Sequence, residues 1–149
     1  MVKVYIGARF SMALACRELE HELKEKGHQV VSAWHMADNE SSDDPTLNAQ
    51  RAMRDYVDLM SADAFVQLLG DPRAPTRGGQ HVELGLAIAW NKVVVVVGQP
   101  GHVFHHLETI CRVDSTTKVD EALRDWNILD LHRLDMFEDV PEEDMNDRP

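Results

Sequence analysis

Glu83 is the residue best placed to do chemistry. It follows the pair Gly78-Gly79 and lies near the start of an apolar run, Gln80 to Trp90, that reads as a short helix. The positive end of a helix dipole favours the ionised form of a carboxylate in the first turn. An ionised carboxylate is what a nucleophile attacking an anomeric carbon must be. The glycine pair leaves space for a sugar ring against the backbone. On spacing alone, an ordinary helix-start glutamate is the commoner explanation.

Other chemistry-bearing residues gather in three loops: Gly7 to Ser11, Trp34 to Thr46 and Gly70 to Gln80. They carry Arg9, Phe10, Trp34, His35, Arg73 and Arg77. Rings, cations and flexible glycines together suit a base, a sugar and a phosphate. The GxxxxGK[ST] and GxGxxG phosphate motifs are absent, which disfavours an ATPase or a dinucleotide dehydrogenase. His102, His105 and His106 lack a supporting carboxylate pattern, so neither a metal nor a cofactor is expected. Cys16 and Cys111 form no CxxC, and two unpaired thiols fit a reducing cytoplasm.

The elements that must position these residues follow from periodicity. Val2 to Gly7 reads as a first strand, Ser11 to Lys26 as a helix capped by Ser11 and stopped by Gly27, and Gln29 to Trp34 as a second strand. Asp44-Pro45 suits the start of a helix with Ala49, Ala52, Met53, Tyr56, Val57 and Met60 on one stripe. Ala64 to Leu69 is a third strand. Val93 to Val97, five consecutive valines, has the unbroken β-branched character of a strand buried on both faces. Ile110 to Val113 suits an edge strand, and Ser115 a cap for a last helix through Trp126. Alternating strands and helices predict a single-domain α/β fold, a doubly wound Rossmann- or flavodoxin-like sheet of about five mainly parallel strands with helices on both faces. In such a sheet ligands sit beyond the carboxyl ends of the strands, at the switch point. The three loops above are at those ends.

The chain has 149 residues and a formal net charge of −11, a size that suits one core. This balance disfavours a nucleic-acid polymer as partner, since that needs clustered Lys and Arg. No apolar run approaches the ~20 residues of a membrane span, and Met1 to Phe10 does not read as a signal peptide. A cytoplasmic protein without a membrane partner is expected. Residues 1–137 are expected to form the domain, and 138–149 an acidic, disordered tail.

Four segments, in order, resemble the nucleoside 2-deoxyribosyltransferase family, including its nucleotide N-hydrolase branch. They are Val4-Tyr5-Ile6-Gly7-Ala8, Asp55 upstream of Ser61-Ala62-Asp63-Ala64-Phe65-Val66, Gly79-Gln80-His81-Val82-Glu83-Leu84-Gly85-Leu86-Ala87, and Asn91-Lys92-Val93-Val94-Val95-Val96. The resemblance implies a double displacement in which Glu83 attacks C1′ to form a glycosyl ester, which a second base or water then releases. It parallels retaining glycosidases, whose two carboxyl groups lie ~5–5.5 Å apart. Asp55 would be the second carboxyl, near the nucleobase; read without the resemblance, it is one acidic residue of a solvated helix face. Repulsion between the two would raise one of their pKa values. Tyr5 would orient the glutamate, Trp34 would stack on the base, and Gly7, Phe10 and Gly79 would line the pocket.

The resemblance also implies that a neighbouring subunit reaches into the pocket from Gly101 to His106, through His105 or Phe104, and hence a homodimer or larger homo-oligomer. Six residues before the glutamate, where the family carries an aspartate or a serine, this chain has Arg77. An arginine there can hold a 5′-phosphate bidentately, with help from Arg9, which points to a nucleotide substrate. Two other readings stand beside this one. A phosphoribohydrolase of the lysine-decarboxylase-like type also joins a glycine pair to a glutamate, but the threonine expected between them is missing. A non-catalytic nucleotide sensor on the same fold is the other.

Overall fold

Val4, Ile6, Val66 and the valine run of the fourth strand lie at the centre of one parallel sheet. The structure is a computed structural model that describes residues 1–37, 43–74 and 78–129, with the side chains of 126–129 left aside. The strands are β1 (Lys3–Gly7), β2 (Gln29–Val30), β3 (Ala64–Leu68), β4 (Val93–Val97) and β5 (Ile110–Val113), in the order β2-β1-β3-β4-β5. Every pairing is parallel. The helices are α1 (Ala13–Glu25), α2 (Pro45–Ser61), α3 (Gly79–Ala89) and α4 (Val119–Leu129). This is the expected doubly wound α/β fold, with the flavodoxin-like strand order and its switch point between β1 and β3.

Side chains alternate across the sheet and divide the core in two. Val4, Ile6, Val66, Val95 and Val97 pack with Cys16, Leu19 and Leu23 of α1 and with Val119 and Leu123 of α4. Tyr5, Phe65, Val94 and Val96 pack on the other face with Leu59 of α2 and with Leu84 and Ala87 of α3. Tyr5 therefore projects into the layer that carries Asp55 and Glu83. No helix among the described residues is long and apolar enough to cross a membrane.

Several local expectations are corrected. Ser11 does not cap α1; it lies inside a 3-10 turn, Phe10–Met12, that feeds the helix. Gly27 does end it: φ is +86°, and the N–H groups of His28 and Gly27 bind the carbonyls of Leu23 and Lys24 at 2.9 and 3.0 Å, a Schellman closure. The second strand stops at Val30 rather than Trp34. There the Ser32 hydroxyl accepts the N–H of Ile6 at 3.0 Å, replacing a further ladder bond, and Trp34–Met36 coils into a 3-10 turn. Asp44 caps α2 as expected, accepting from the Thr46 N–H at 2.8 Å, with Pro45 at the first helical position. The stripe proposed for this helix faces outward: Ala49, Ala52, Met53, Tyr56, Val57 and Met60 are all exposed, and Leu59 is the buried residue of α2. Periodicity locates an apolar face but does not say whether the same chain covers it. Ser115 caps a 3-10 turn, Thr116–Lys118, that leads into α4. The segment 130–137 and the expected tail, 138–149, lie outside the described residues.

A buried polar link ties the sheet to the loops at its carboxyl end. Gln67 of β3 is fully buried. Its amide nitrogen donates to the carbonyl of Gln80 at 3.3 Å, and its oxygen meets His105 Nε2 at 3.0 Å. The Gly101 N–H donates to His105 Nδ1, which leaves Nε2 as the protonated donor. Gln67→Met keeps the volume but strands the His105 N–H and the Gln80 carbonyl. It is expected to lower unfolding stability by ~1–3 kcal/mol, measurable by urea titration; an unchanged midpoint would show the link to be dispensable.

Candidate active site

Gly7 ends β1 and pairs with Gln67 of β3, so the switch point opens at this residue. A Cβ on Gly7 would stand 2.6 Å from the Phe65 ring and 2.9 Å from Glu83 Oε2. Only a glycine lets the glutamate lie against the end of the strand. The Tyr5 hydroxyl, one strand repeat earlier on the same face, donates to Glu83 Oε1 at 2.7 Å. The Tyr5 ring is itself fully buried and stacked on Phe65 at 6.0 Å.

α3 aims the glutamate. Gly78 precedes it with φ +87°, a conformation suited to glycine. Gln80, Leu84 and Ala87 are buried against the sheet, which puts Glu83 on the flank facing β1 and α2 and His81 on the opposite flank. Glu83 is the fifth residue of α3, beyond the first turn. The expectation that the dipole keeps it ionised is corrected by its surroundings. Burial raises its pKa to about 7, the Tyr5 hydrogen bond works against this, and Asp55 adds to it. Desolvation outweighs the helix field because free N–H groups act strongly only in the first turn.

Asp55 belongs to the same cluster. Burial raises its pKa first, Arg54 opposes this, Asp58 adds to it and Arg51 opposes it. The Tyr5 hydroxyl is pushed far above its ordinary value by burial and then by Glu83, Asp55 and Asp58. One phenol thus stands amid three acids. A buried carboxylate held by a phenol, with a second carboxyl whose proton is retained to higher pH, is suited to nucleophilic attack paired with proton delivery.

The remaining sequence candidates fall into place unequally. The Trp34 indole N–H donates to the Ile6 carbonyl at 2.7 Å, and its ring lies 6.3 Å from Phe10, so both rings stand at the end of β1. Arg9 reaches over the next loop to donate to the Asp71 carbonyl. Its Nε is buried without a partner. Gly79 is exposed in the first turn of α3. Arg77 lies outside the described residues. His105 is buried with both ring nitrogens engaged, so it braces the loop rather than facing a ligand, while Phe104 is half-exposed.

Three residues were not singled out from the sequence. His81 stacks on His102 at 5.3 Å between centroids; burial first, then His102 and Arg9, lower its pKa. Asp58 accepts from the Ala33 N–H, bringing the Trp34 turn against α2. Arg51 has a buried, unpartnered Nη1. The one signal for Arg51 and Asp58 was their spacing from Asp55, which puts all three on one helix face. Among the described residues, no group of three His, Cys, Asp or Glu side chains is arranged to hold a metal ion.

No model of a known protein family matches the sequence, and no curated protein does. Solved structures share its fold. A 2-deoxyribosyltransferase from the psychrotolerant bacterium Bacillus psychrosaccharolyticus superposes with a TM-score of 0.62 at 17% identity, over 79% of this chain and 90% of that one. For a CMP N-glycosidase from Clostridium botulinum the TM-score is 0.51 and the identity 19%, over 82% and 98%. A conserved protein from Enterococcus faecalis V583 gives 0.57 and 17%, over 85% and 99%. At these identities the likeness establishes a common fold.

The raised pKa of Glu83 has a consequence for stability. Below the unfolded value near 4.5 the group is neutral in both states. As pH rises through about 7, the folded protein must ionise a buried carboxyl, and stability is lost. Glu83→Gln removes that burden, so it is expected to match the wild type at pH 4 and to exceed it at pH 8 by up to ~3 kcal/mol. Thermal melts across this range test it; a mutant that is less stable than the wild type at pH 8 would contradict the raised pKa.

Proposed function

We propose that this protein breaks the N-glycosidic bond of a nucleoside, a deoxynucleoside or its 5′-monophosphate through a covalent glycosyl-Glu83 intermediate, resolved by base transfer or by hydrolysis. The observation that carries the reading is the Tyr5-to-Glu83 hydrogen bond at the switch point, in electrostatic contact with Asp55. The ordered sequence segments resemble the nucleoside 2-deoxyribosyltransferase family. The two named structural neighbours, a 2-deoxyribosyltransferase and a CMP N-glycosidase, are consistent with it.

In this mechanism ionised Glu83 attacks C1′ from one face of the sugar. The C1′–N bond breaks with its electron pair on the base, and Asp55 delivers a proton to the departing base. The ester is then opened by a second base or by water, with Asp55 taking the proton. Trp34 and Phe10 provide the apolar wall for the base. Arg9, with its unpartnered Nε, provides the cation for a 5′-phosphate, and His81, kept neutral by its surroundings, a ring N–H beside it. Gly7 leaves room for the glutamate, and Gly79 offers backbone at the sugar side.

Intact mass after incubation with a 2′-fluoro nucleoside and with its 5′-monophosphate tests the chemistry, because fluorine slows release of the ester. The expected result is a stable glycosyl adduct on the wild type, mapped to Glu83, and none on Glu83→Ala. Binding across a nucleotide panel with neither adduct nor base release would instead indicate a sensor.

The homo-oligomer belongs to the same reading. The exposed row Met53, Tyr56, Val57 and Met60 is the kind of apolar patch that marks an association surface. It runs along the helix that carries Asp55. Sedimentation is expected to give a dimer or larger assembly that Met53→Glu with Met60→Glu dissociates, with loss of activity; an active monomer would contradict it.

A further inference from the structure

The face of α2 that turns towards the site is narrow. From Leu47 to Met60, the residues that are not exposed are Arg51, Asp55, Asp58 and Leu59. Their spacing of three and four residues makes one stripe. Leu59 belongs to the core, and Asp58 accepts from the Ala33 N–H, which sets the Trp34 turn beside this stripe. Asp55 bears on Glu83. Arg51 lies one helical turn before Asp55 and within its electrostatic reach. Its Nη1 has essentially no contact with solvent and no hydrogen-bond partner.

A guanidinium nitrogen that is desolvated and unbonded is costly to keep, more so than a neutral donor. Such a cost is common where a ligand supplies the missing acceptor. Asp55 beside it disfavours a second anionic group, whether carboxylate or phosphate. The Trp34 turn, set beside this stripe through Asp58, favours a flat partner. What an arginine fork can meet on a base, beside a carboxyl that meets a donor, is a ring carbonyl oxygen.

We propose that Arg51 binds the carbonyl oxygen of the nucleobase and stabilises the base as it departs, making oxo-bearing bases the substrate class and disfavouring adenine. This inference rests on the N-glycosidic function given above. As the C1′–N bond breaks, its electron pair passes to the base and spreads through the ring onto the conjugated carbonyl oxygen. An Arg51 N–H donates to that oxygen while Asp55 supplies the proton. A donor aimed at developing charge assists the transition state more than the ground state. Adenine offers no ring carbonyl and would leave Nη1 unbonded, the condition under which sites discriminate strongly.

The test compares wild type, Arg51→Met and Arg51→Lys on nucleosides, and on their 5′-monophosphates, of 5-fluorouracil, uracil, thymine and adenine. The acidity of the leaving base falls from 5-fluorouracil to thymine. Arg51→Met is expected to lose about 100-fold in kcat/KM on thymine, less on 5-fluorouracil than on the other oxo-bearing bases, and nothing on adenine. The dependence on base acidity becomes steeper, and the preference over adenine collapses. Arg51→Lys, which keeps the charge, recovers part of the loss. A merely structural arginine would cost all bases alike, so parallel losses overturn the role of Arg51 while leaving the N-glycosidic function standing, as does a wild type that prefers adenine. Absence of cleavage of any base by the wild type overturns that function and this inference with it.

Discussion

The structure depends on a carboxylate that is withdrawn from water and held by one phenol. Glu83 gives up hydration at the end of β1, and the Tyr5 hydroxyl returns a single strong hydrogen bond. That bond favours the charged form, whereas burial and Asp55 favour the neutral one. The balance leaves the group near the middle of its titration at neutral pH. A nucleophile needs the charge but gains reactivity when water is kept away from it. Gly7 is the steric condition for this balance, since any side chain there would occupy the place of the carboxylate.

The two faces of the sheet carry different tasks. α1 and α4 cover one face with aliphatic side chains and close the larger core. α2 and α3 cover the other with a smaller core, and their half-buried positions include Asp55, Asp58 and Glu83. Leu59 anchors α2, and the turn at Ala33 meets it through Asp58. The acids of α2 are therefore placed by a short list of contacts. An apolar stripe left open on the same helix fits a covering partner that stiffens it.

An acidic protein can still bind an anion where local cations outnumber acids. Arg9 stands by the stacked rings of His81 and His102 near the start of α3, a local positive charge although the chain as a whole carries −11. A lone local cation of this kind suits one small charged group, whereas a net charge of −11 disfavours a polyanion. Arg51 lies apart from this group, on the α2 side with Asp55. Under the proposed function, Arg9 would stand at the phosphate end and Arg51 at the base end of the site.

The parallel sheet, the cap at Asp44, the stop at Gly27 and the buried valines of β4 were legible in the amino-acid sequence, because each is set by local chemistry or by a repeat of side-chain types. The candidates Tyr5, Gly7 and Glu83 were legible through their place at strand ends and through family resemblance. The sequence could not show that the apolar stripe of α2 would face outward, that β2 would end when Ser32 took the Ile6 N–H, or that His105 would be spent bracing Gln67. Each of these is decided by which partner a group meets across long separations in the chain. The protonation balance of Glu83 is of the same kind: a pKa near 7 belongs to the burial, the phenol and the second acid together. Local residue types dictate where a helix or strand can form, whereas only the packed tertiary structure sets the dielectric and the neighbours that tune a charge.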